Sequence, residues 1–186
     1  LYSLVNGGLV TIPKGSNTGI LQIKFTPSGL LGGDWAIGFT ITKIDESGYE
    51  ISGNLNTGIT AIPVKNEFEG SYTTSGTRTR YAGPTEASGV LDMFDISGSQ
   101  YFSTLNGNTI VGQLADAGSG GIMALTINGD GTVTVSNPPG GPYADLANTA
   151  GTTSTYDAGT KTFHILASYH NSAGNLRKVD ETMVKE

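Results

Sequence analysis

The chain has 186 residues, a formal net charge of −6 at neutral pH and no cysteine. Only 10 residues are lysine or arginine, so the clustered positive charge that nucleic-acid binding requires is missing, and we exclude nucleic acid as an expected partner. The lack of cysteine excludes disulfides, thiol nucleophiles and thiolate metal sites. Glycine occurs 28 times and charged residues make up only 14% of the chain, a composition that predicts an all-β protein with many tight turns.

The first third of the chain predicts short strands of a β-sandwich. In two runs, large apolar residues alternate with small or polar ones, which is typical of strands with one buried face. Trp35 begins the second run and is accordingly expected in the core. Shorter strands are expected at Tyr49–Ile51 and Gly58–Val64. The alternating residues of the two runs are Leu21, Ile23 and Phe25, and then Trp35, Ile37, Phe39 and Ile41.

The rest of the chain predicts a regular meander of eight strands, which favours an up-and-down barrel or a sharply curled sheet. Asn106-Gly107 and Asn128-Gly129-Asp130-Gly131 predict tight turns. The stretch from Asn137 to about Thr155 lacks periodicity and is expected to be a loop, either a plain one or one that carries recognition. The expected strands are Ser71–Arg80, Val90–Ile96, Gln100–Leu105, Thr109–Leu114, Ile122–Ile127, Thr132–Ser136, Lys161–Tyr169 and Leu176–Val184.

Several segments follow one another in the order of motifs of a known family. They are V-T-I-P-K-G-S at Val10–Ser16, W-A-I-G-F-T-I-T-K-I at Trp35–Ile44, G-Y-E-I-S-G-N-L-N-T at Gly48–Thr57, K-N-E-F-E-G-S-Y at Lys65–Tyr72, Tyr156–His170 and Arg177–Thr182. These segments resemble the Bacteroidetes-type outer-surface lipoproteins. Members of that family place an immunoglobulin-like domain of unknown function ahead of a lipocalin-like or otherwise meandering β domain.

The resemblance implies two domains and a place on the cell surface. Residues 1–66 are expected to form an N-terminally incomplete immunoglobulin-like β-sandwich, and residues 67–186 a lipocalin-like β-meander or barrel. At the junction, Phe68 and Tyr72 are expected to tie the first strand of the second domain to the interface between the domains. Because the family has further strands before Val10, we expect the natural protein to be longer and the open sheet to be covered by a neighbouring chain, a swapped strand or crystal contacts. A lipid anchor outside this chain would hold the protein on the outer membrane, facing outwards.

Residues suited to metal binding or catalysis are sparse. His164 and His170 would lie about 20 Å apart along one strand, too far to share a metal ion. The turn at 128–131 lacks the further ligands of a calcium loop. No Gly-x-Ser-x-Gly motif is present, and the candidate carboxylate pairs for glycoside hydrolysis, Asp92 with Asp95 and Asp180 with Glu181, point to opposite strand faces. We therefore expect no enzyme activity, no cofactor and no metal.

Carbohydrate is the ligand that the resemblance implies, and aromatic side chains are the sugar-relevant feature of the sequence. Such sites combine apolar surfaces with a few placed polar groups. Tyr143 in the Pro/Gly-rich loop, and Tyr81 beside Arg78 and Arg80 at a strand end, are the predicted ligand-binding residues, with packing or loop anchoring as the alternative for each tyrosine. Two other functions remain open: a structural or adhesive protein that contacts neighbouring surface proteins, and a barrel that carries a small apolar ligand.

Overall fold

The computed structural model describes residues 2–26, 30, 35–62, 64–115 and 120–186. Over these ranges the protein is all-β, and its helical segments are short 3-10 turns at Val5–Gly8, which is kinked at Asn6 and Gly7, and at Glu86–Ser88. No helix in the described ranges is long and apolar enough to cross a membrane. The chain divides into two compact units, Leu1–Val64 and Lys65–Glu186, called here the N-terminal unit and the C-terminal unit.

The N-terminal unit contains two antiparallel ribbons. Strand β1 (Tyr2–Leu4) pairs with β2 (Ile23–Phe25), and β3 (Trp35–Thr40) pairs with β4 (Thr57–Ile62). The expected strand at Tyr49–Ile51 is wrong, because this segment follows a turn at Gly48, where φ is 86°, and continues as irregular chain.

Most large apolar residues of the N-terminal unit are exposed. The indole Nε1 of Trp35 donates to the carbonyl of Leu30 at 2.7 Å, yet Trp35 is 36% exposed, so its expected place in the core is wrong. Two-stranded ribbons are too small to cover both faces of their strands, which accounts for this exposure. Residues that are more than half exposed include Leu9, Ile12, Ile20, Ile41, Tyr49, Leu55 and Ile59.

The C-terminal unit is a closed antiparallel barrel. Each strand from β5 to β9 pairs with the next, and β13 pairs with both β12 and β5, which closes the ring. Strands β10 and β11 share the place between β9 and β12, so nine strands fill eight positions, and the expected up-and-down barrel is confirmed. The strands are β5 (Gly70–Tyr81), β6 (Val90–Asn106), β7 (Thr109–Gln113), β8 (Ile122–Ile127), β9 (Thr132–Ser136), β10 (Ala147–Asn148), β11 (Ser154–Asp157), β12 (Thr162–His170) and β13 (Leu176–Lys185).

Strand β6 is one continuous strand where the sequence predicts two, Val90–Ile96 and Gln100–Leu105. The expected break between these two strands is wrong, because Ser97, Gly98 and Ser99 remain paired with β5 in unbroken register, Gly98 opposite Thr74. At Gly98 the φ angle is 136°, a conformation that glycine adopts without strain, so the strand continues where the sequence predicts a break.

The expected loop after Asn137 contributes the strand position between β9 and β12. It contains β10 and the first residues of β11. The amide side chain of Asn148 substitutes for backbone pairing there: its Oδ1 accepts from the Val135 N–H at 2.7 Å and its Nδ2 donates to the Val133 carbonyl at 2.8 Å. Both strands are too short for an alternating pattern to reveal them.

Side chains fill the interior of the barrel. The Tyr72 ring meets those of Phe102 and Phe163 edge to face, with centroids 5.7 and 5.6 Å apart. Glu181 is fully buried among them and accepts a hydrogen bond from Gln100 Nε2 at 3.3 Å. Other fully buried side chains are Ile110, Leu114, Met123, Leu125, Ile165 and Met183.

Asn66 fastens the start of the C-terminal unit. Its Nδ2 donates to the carbonyls of Asn106 at 2.8 Å and Thr109 at 3.0 Å, and its Oδ1 accepts from the Phe68 N–H at 3.0 Å. The Tyr72 hydroxyl donates to the Phe68 carbonyl at 2.5 Å, so these two aromatic residues contact each other within the C-terminal unit. These contacts place Asn66 with the barrel, whereas the sequence prediction ended the first domain at that residue.

Candidate functional site

Cross-strand register builds a polar row at one end of the barrel. Tyr169 of β12 lies opposite Arg177 of β13, Arg177 lies opposite Arg80 of β5, and Arg80 lies opposite Asp92 of β6. Tyr169 is 3% exposed and Arg177 is 7% exposed, so this row faces the interior. The next row inward carries Arg78 and the one below it carries Glu181, whereas most other inward-facing side chains of the deeper rows are apolar.

Arg80 and Asp92 form a forked ion pair at this rim. The Nε of Arg80 donates to Asp92 Oδ1 at 2.5 Å, and its Nη2 donates to Oδ2. Hydrogen bonding from Arg80 lowers the pKa of Asp92, and the charges of Arg177 and Arg78 lower it further. The side chains of both partners remain about one-third exposed, at 34% and 33%, so the pair is accessible from solvent.

Phe94 provides an aromatic face beneath two guanidinium groups. Its ring centroid lies 4.5 Å from the guanidinium carbon of Arg80 and 5.4 Å from that of Arg78, which is cation–π geometry. Phe94 lies opposite Arg78 in the register, one row deeper than Asp92, and is 38% exposed. An apolar ring and charged donors therefore share one accessible surface.

The side chain of Arg177 contacts the backbone of Tyr81. The Nη1 of Arg177 donates to the carbonyls of Tyr81 at 3.1 Å and Leu176 at 2.8 Å. Tyr81 is 8% exposed, because the register shifts between Arg80 and Tyr81 and turns its side chain into a packed position. This residue, predicted to bind ligand, contributes its carbonyl to the cluster and buries its ring.

Tyr143 reaches the same end of the barrel from the loop after β9. Its ring lies 4.2 Å from that of Tyr169 at an interplanar angle of 34°. Asn137 shapes this loop, because its Oδ1 accepts from the Tyr143 N–H at 3.3 Å and its Nδ2 donates to the Gly141 carbonyl at 3.1 Å. Burial raises the pKa of Tyr169, the neighbouring Tyr143 raises it further, and the nearby Arg78 partly opposes both effects.

The histidines lie on the outside. The Nδ1 of His170 lies 2.5 Å from Asp145 Oδ2 and its Nε2 lies 2.9 Å from the Pro84 carbonyl, so it links two loops at the end where Tyr143 lies. These two partners raise the pKa of His170, the Pro84 carbonyl more strongly. His164 pairs with Asp180 on an exposed face at 2.9 Å. In the part of the chain that the structure describes, no three histidine or acidic residues are grouped so that they could hold a metal ion.

The four residues predicted from the sequence lie together at this end, and register adds others. Tyr169 and Arg177 were missed, although the five-residue turn N-S-A-G-N between their strands would set them opposite each other. The barrel-end cluster, as we call it, combines guanidinium donors, one shared carboxylate and aromatic faces, a set suited to binding polar ligands. It consists of Arg78, Arg80, Asp92, Phe94, Tyr143, Tyr169 and Arg177.

Comparison with known proteins relates the chain to solved structures. No protein-family model and no curated protein matches it. A Bacteroides ovatus protein of unknown function is similar with a TM-score of 0.65 and 14% identity, over 100% of this chain and 70% of that one. An auxiliary nutrient binding protein from Bacteroides thetaiotaomicron aligns with a TM-score of 0.49 and 15% identity, over 98% of this chain and 66% of its own length.

A further Bacteroides ovatus structure, a multidomain protein including DUF1735, aligns with a TM-score of 0.43 and 13% identity over 68% of this chain and 55% of its own. These three structures come from Bacteroides species. At such identities a likeness shows the fold alone. The chain therefore shares the fold of the Bacteroides ovatus protein of unknown function. The match covers all of this chain and 70% of that one.

Proposed function

We propose that the protein is a non-catalytic binding protein of a bacterial cell surface and that it captures carbohydrate. The observation that carries this proposal is the barrel-end cluster, where the part-exposed ring of Phe94 lies beside the part-exposed guanidinium of Arg80. An aromatic face covers the apolar face of a sugar ring, and fixed donors select its hydroxyl groups, the division of roles that small-ligand sites commonly use.

The packed barrel supports a rigid site and disfavours an apolar-ligand carrier. Fully buried side chains such as Tyr72, Phe102 and Phe163 occupy the interior. They hold the strands that present the cluster, so binding requires little ordering of the scaffold. The same packing removes the space that a carrier of a small apolar ligand would use.

The proposal includes the architecture and location that the sequence resemblance implies. The N-terminal unit would be an immunoglobulin-like domain, the C-terminal barrel would be lipocalin-like, and a lipid anchor outside this chain would hold both on the outer face of the outer membrane. The fold likeness to a Bacteroides ovatus protein supports the β architecture, and the location rests on the sequence resemblance. The proposed protein has no enzymatic activity, cofactor, metal or nucleic-acid partner.

A structural or adhesive role is the second candidate, and one observation favours it. The N-terminal unit carries an open groove of about 500 Å³, whose walls include Leu21, Ile23, Phe39 and Leu55. Apolar grooves of this kind are typical of contacts between proteins. In this alternative the groove would contact a neighbouring surface protein.

Affinity electrophoresis through gels that contain single polysaccharides tests the carbohydrate proposal. We expect at least one polysaccharide to retard the protein, and Phe94→Ala to weaken the retardation because the ring face is lost. Tyr49→Ala is the matched control, since Tyr49 is a 70% exposed aromatic residue of the N-terminal unit. Absence of retardation across a broad panel would refute carbohydrate capture, and equal loss in both variants would refute the assigned site.

A further inference from the structure

We propose that the barrel-end cluster selects acidic saccharides, whose sugars carry a carboxylate or a sulfate ester. This inference rests on the proposed carbohydrate-binding function and adds the class of sugar. Three guanidinium groups, those of Arg78, Arg80 and Arg177, converge on the rim formed by β5, β6 and β13. Neutral sugars do not require such a concentration of positive charge.

The balance of charge around the cluster favours an anion. Asp92 is the carboxylate that all three arginines influence. A second inward-facing carboxylate is that of Glu181 on β13, which is fully buried two rows below the rim. Among the described inward-facing charged side chains at this end, three are positive and two are negative, and the outward-facing Lys178 and His170 are each paired with a carboxylate. One anionic group of a ligand would balance this excess.

The geometry of the Arg80–Asp92 pair shows that the rim accommodates a carboxylate. The described contacts of Arg80 use its Nε and Nη2, which leaves the hydrogens of Nη1 for a ligand oxygen. Guanidinium groups bind carboxylate and sulfate oxygens through paired, charge-assisted hydrogen bonds. Phe94 lies under the same guanidinium at 4.5 Å, so a sugar ring that engaged Arg80 would have an aromatic face beside it.

Because the whole chain is acidic, binding of an anionic saccharide at the cluster can be distinguished from nonspecific ion exchange. The formal net charge is −6, so a polyanion is repelled by the protein as a whole. Retention by an acidic polysaccharide therefore requires a local positive site.

The test compares matched charged and neutral polysaccharides in affinity gels at low and at physiological salt. Polygalacturonate is paired with its methyl ester, and dextran sulfate is paired with dextran, so that the two arms separate carboxylate from sulfate recognition. We expect at least one acidic member to bind at least tenfold more tightly than its neutral partner, with affinity falling as salt rises. Equal binding of both members of each pair would overturn the acidic-sugar inference and leave carbohydrate binding intact. Binding of no polysaccharide at all would overturn both proposals.

Single substitutions test whether acidic saccharides bind at the barrel-end cluster. Arg80→Gln should weaken acidic binding about tenfold, the scale of one charge-assisted contact. Lys178→Gln removes the same charge from the outer face of β13, where Lys178 pairs with Glu86, and should leave binding unchanged. If both variants lose binding equally, the assigned site is wrong.

A second pair of variants has the opposite expected sign and protects the test against loss of folding. Asp92→Asn removes a carboxylate that competes for Arg80 and should strengthen acidic binding several-fold. Asp95→Asn makes the same change at an exposed position of the same strand and should have no effect. Weaker or unchanged binding by Asp92→Asn would contradict the inference.

Discussion

Glu69 is a carboxylate whose contacts make the stability of the barrel depend on pH. Its oxygens accept hydrogen bonds from the Tyr101 hydroxyl at 2.5 Å and from the Thr104 backbone N–H and hydroxyl at 3.0 and 2.7 Å, and it pairs with Lys65 at 2.6 Å. Burial alone would raise the pKa of Glu69, but the hydrogen bonds from Lys65, Tyr101 and Thr104 outweigh burial and lower it to about 2. The carboxylate form is thus favoured by folding.

The sign of the expected pH effect follows from this lowered pKa. The stabilisation is fully present above the ordinary carboxyl pKa of 4.5 and is lost as the pH falls towards 2. This stabilisation amounts to roughly 3 kcal/mol of unfolding free energy. Urea unfolding at pH 7 and pH 3 should show a smaller loss for Glu69→Gln than for the wild type. Glu67→Gln, at an exposed neighbour, is the control. An identical loss in wild type and Glu69→Gln would contradict this account.

The sequence predicts the members of the candidate site better than their contacts. Arg78 and Arg80 share a strand face because the side-chain period of a strand is two, and this follows from sequence alone. The closeness of Tyr143 to Tyr169 depends on a loop shaped by Asn137, which no periodic pattern encodes. Pairing between strands that are distant in the sequence therefore determines which side chains meet at the site, whereas local sequence patterns identify the candidate residues.

Strands that appear as apolar or alternating runs are predicted correctly, and short or glycine-interrupted ones are not. The expected strand at Ile122–Ile127 coincides with β8 and that at Thr132–Ser136 coincides with β9. Strand β6 continues through Ser97-Gly98-Ser99 because β5 pairs with it throughout, a tertiary influence that outweighs local turn preference.

The packing between β6 and β7 provides a prediction at the level of these elements. Gly112 of β7 faces the fully buried ring of Phe102, and a Cβ at position 112 would lie 2.5 Å from that ring. Gly112→Ala should therefore lower the unfolding free energy by about 1–3 kcal/mol through overpacking. Gly129→Ala has nothing within 4 Å of its added methyl and is the control. Chemical denaturation measures both, and equal stability of the two variants would contradict the described packing.

Across the whole molecule, the two units differ in how well they bury apolar residues. The barrel has a continuous core, whereas the N-terminal unit leaves residues such as Leu55 and Ile59 each 78% exposed. We predict that limited proteolysis cleaves near Val64 and releases a stable barrel, because the core of the barrel draws on its own strands. A fragment of residues 65–186 should keep the β-sheet circular dichroism and the main unfolding midpoint. A single cooperative transition, with no resistant fragment, would contradict the two-domain prediction.

The central claim is that saccharide binds at the barrel end. Hydrogen exchange with and without the polysaccharide that retards the protein most strongly tests it directly, because the readout covers both units at once. We expect slower exchange at residues 78–81, 92–94 and 143–146 and little change in residues 2–62. Protection confined to the N-terminal unit, or none in the barrel at saturating polysaccharide, would contradict the account.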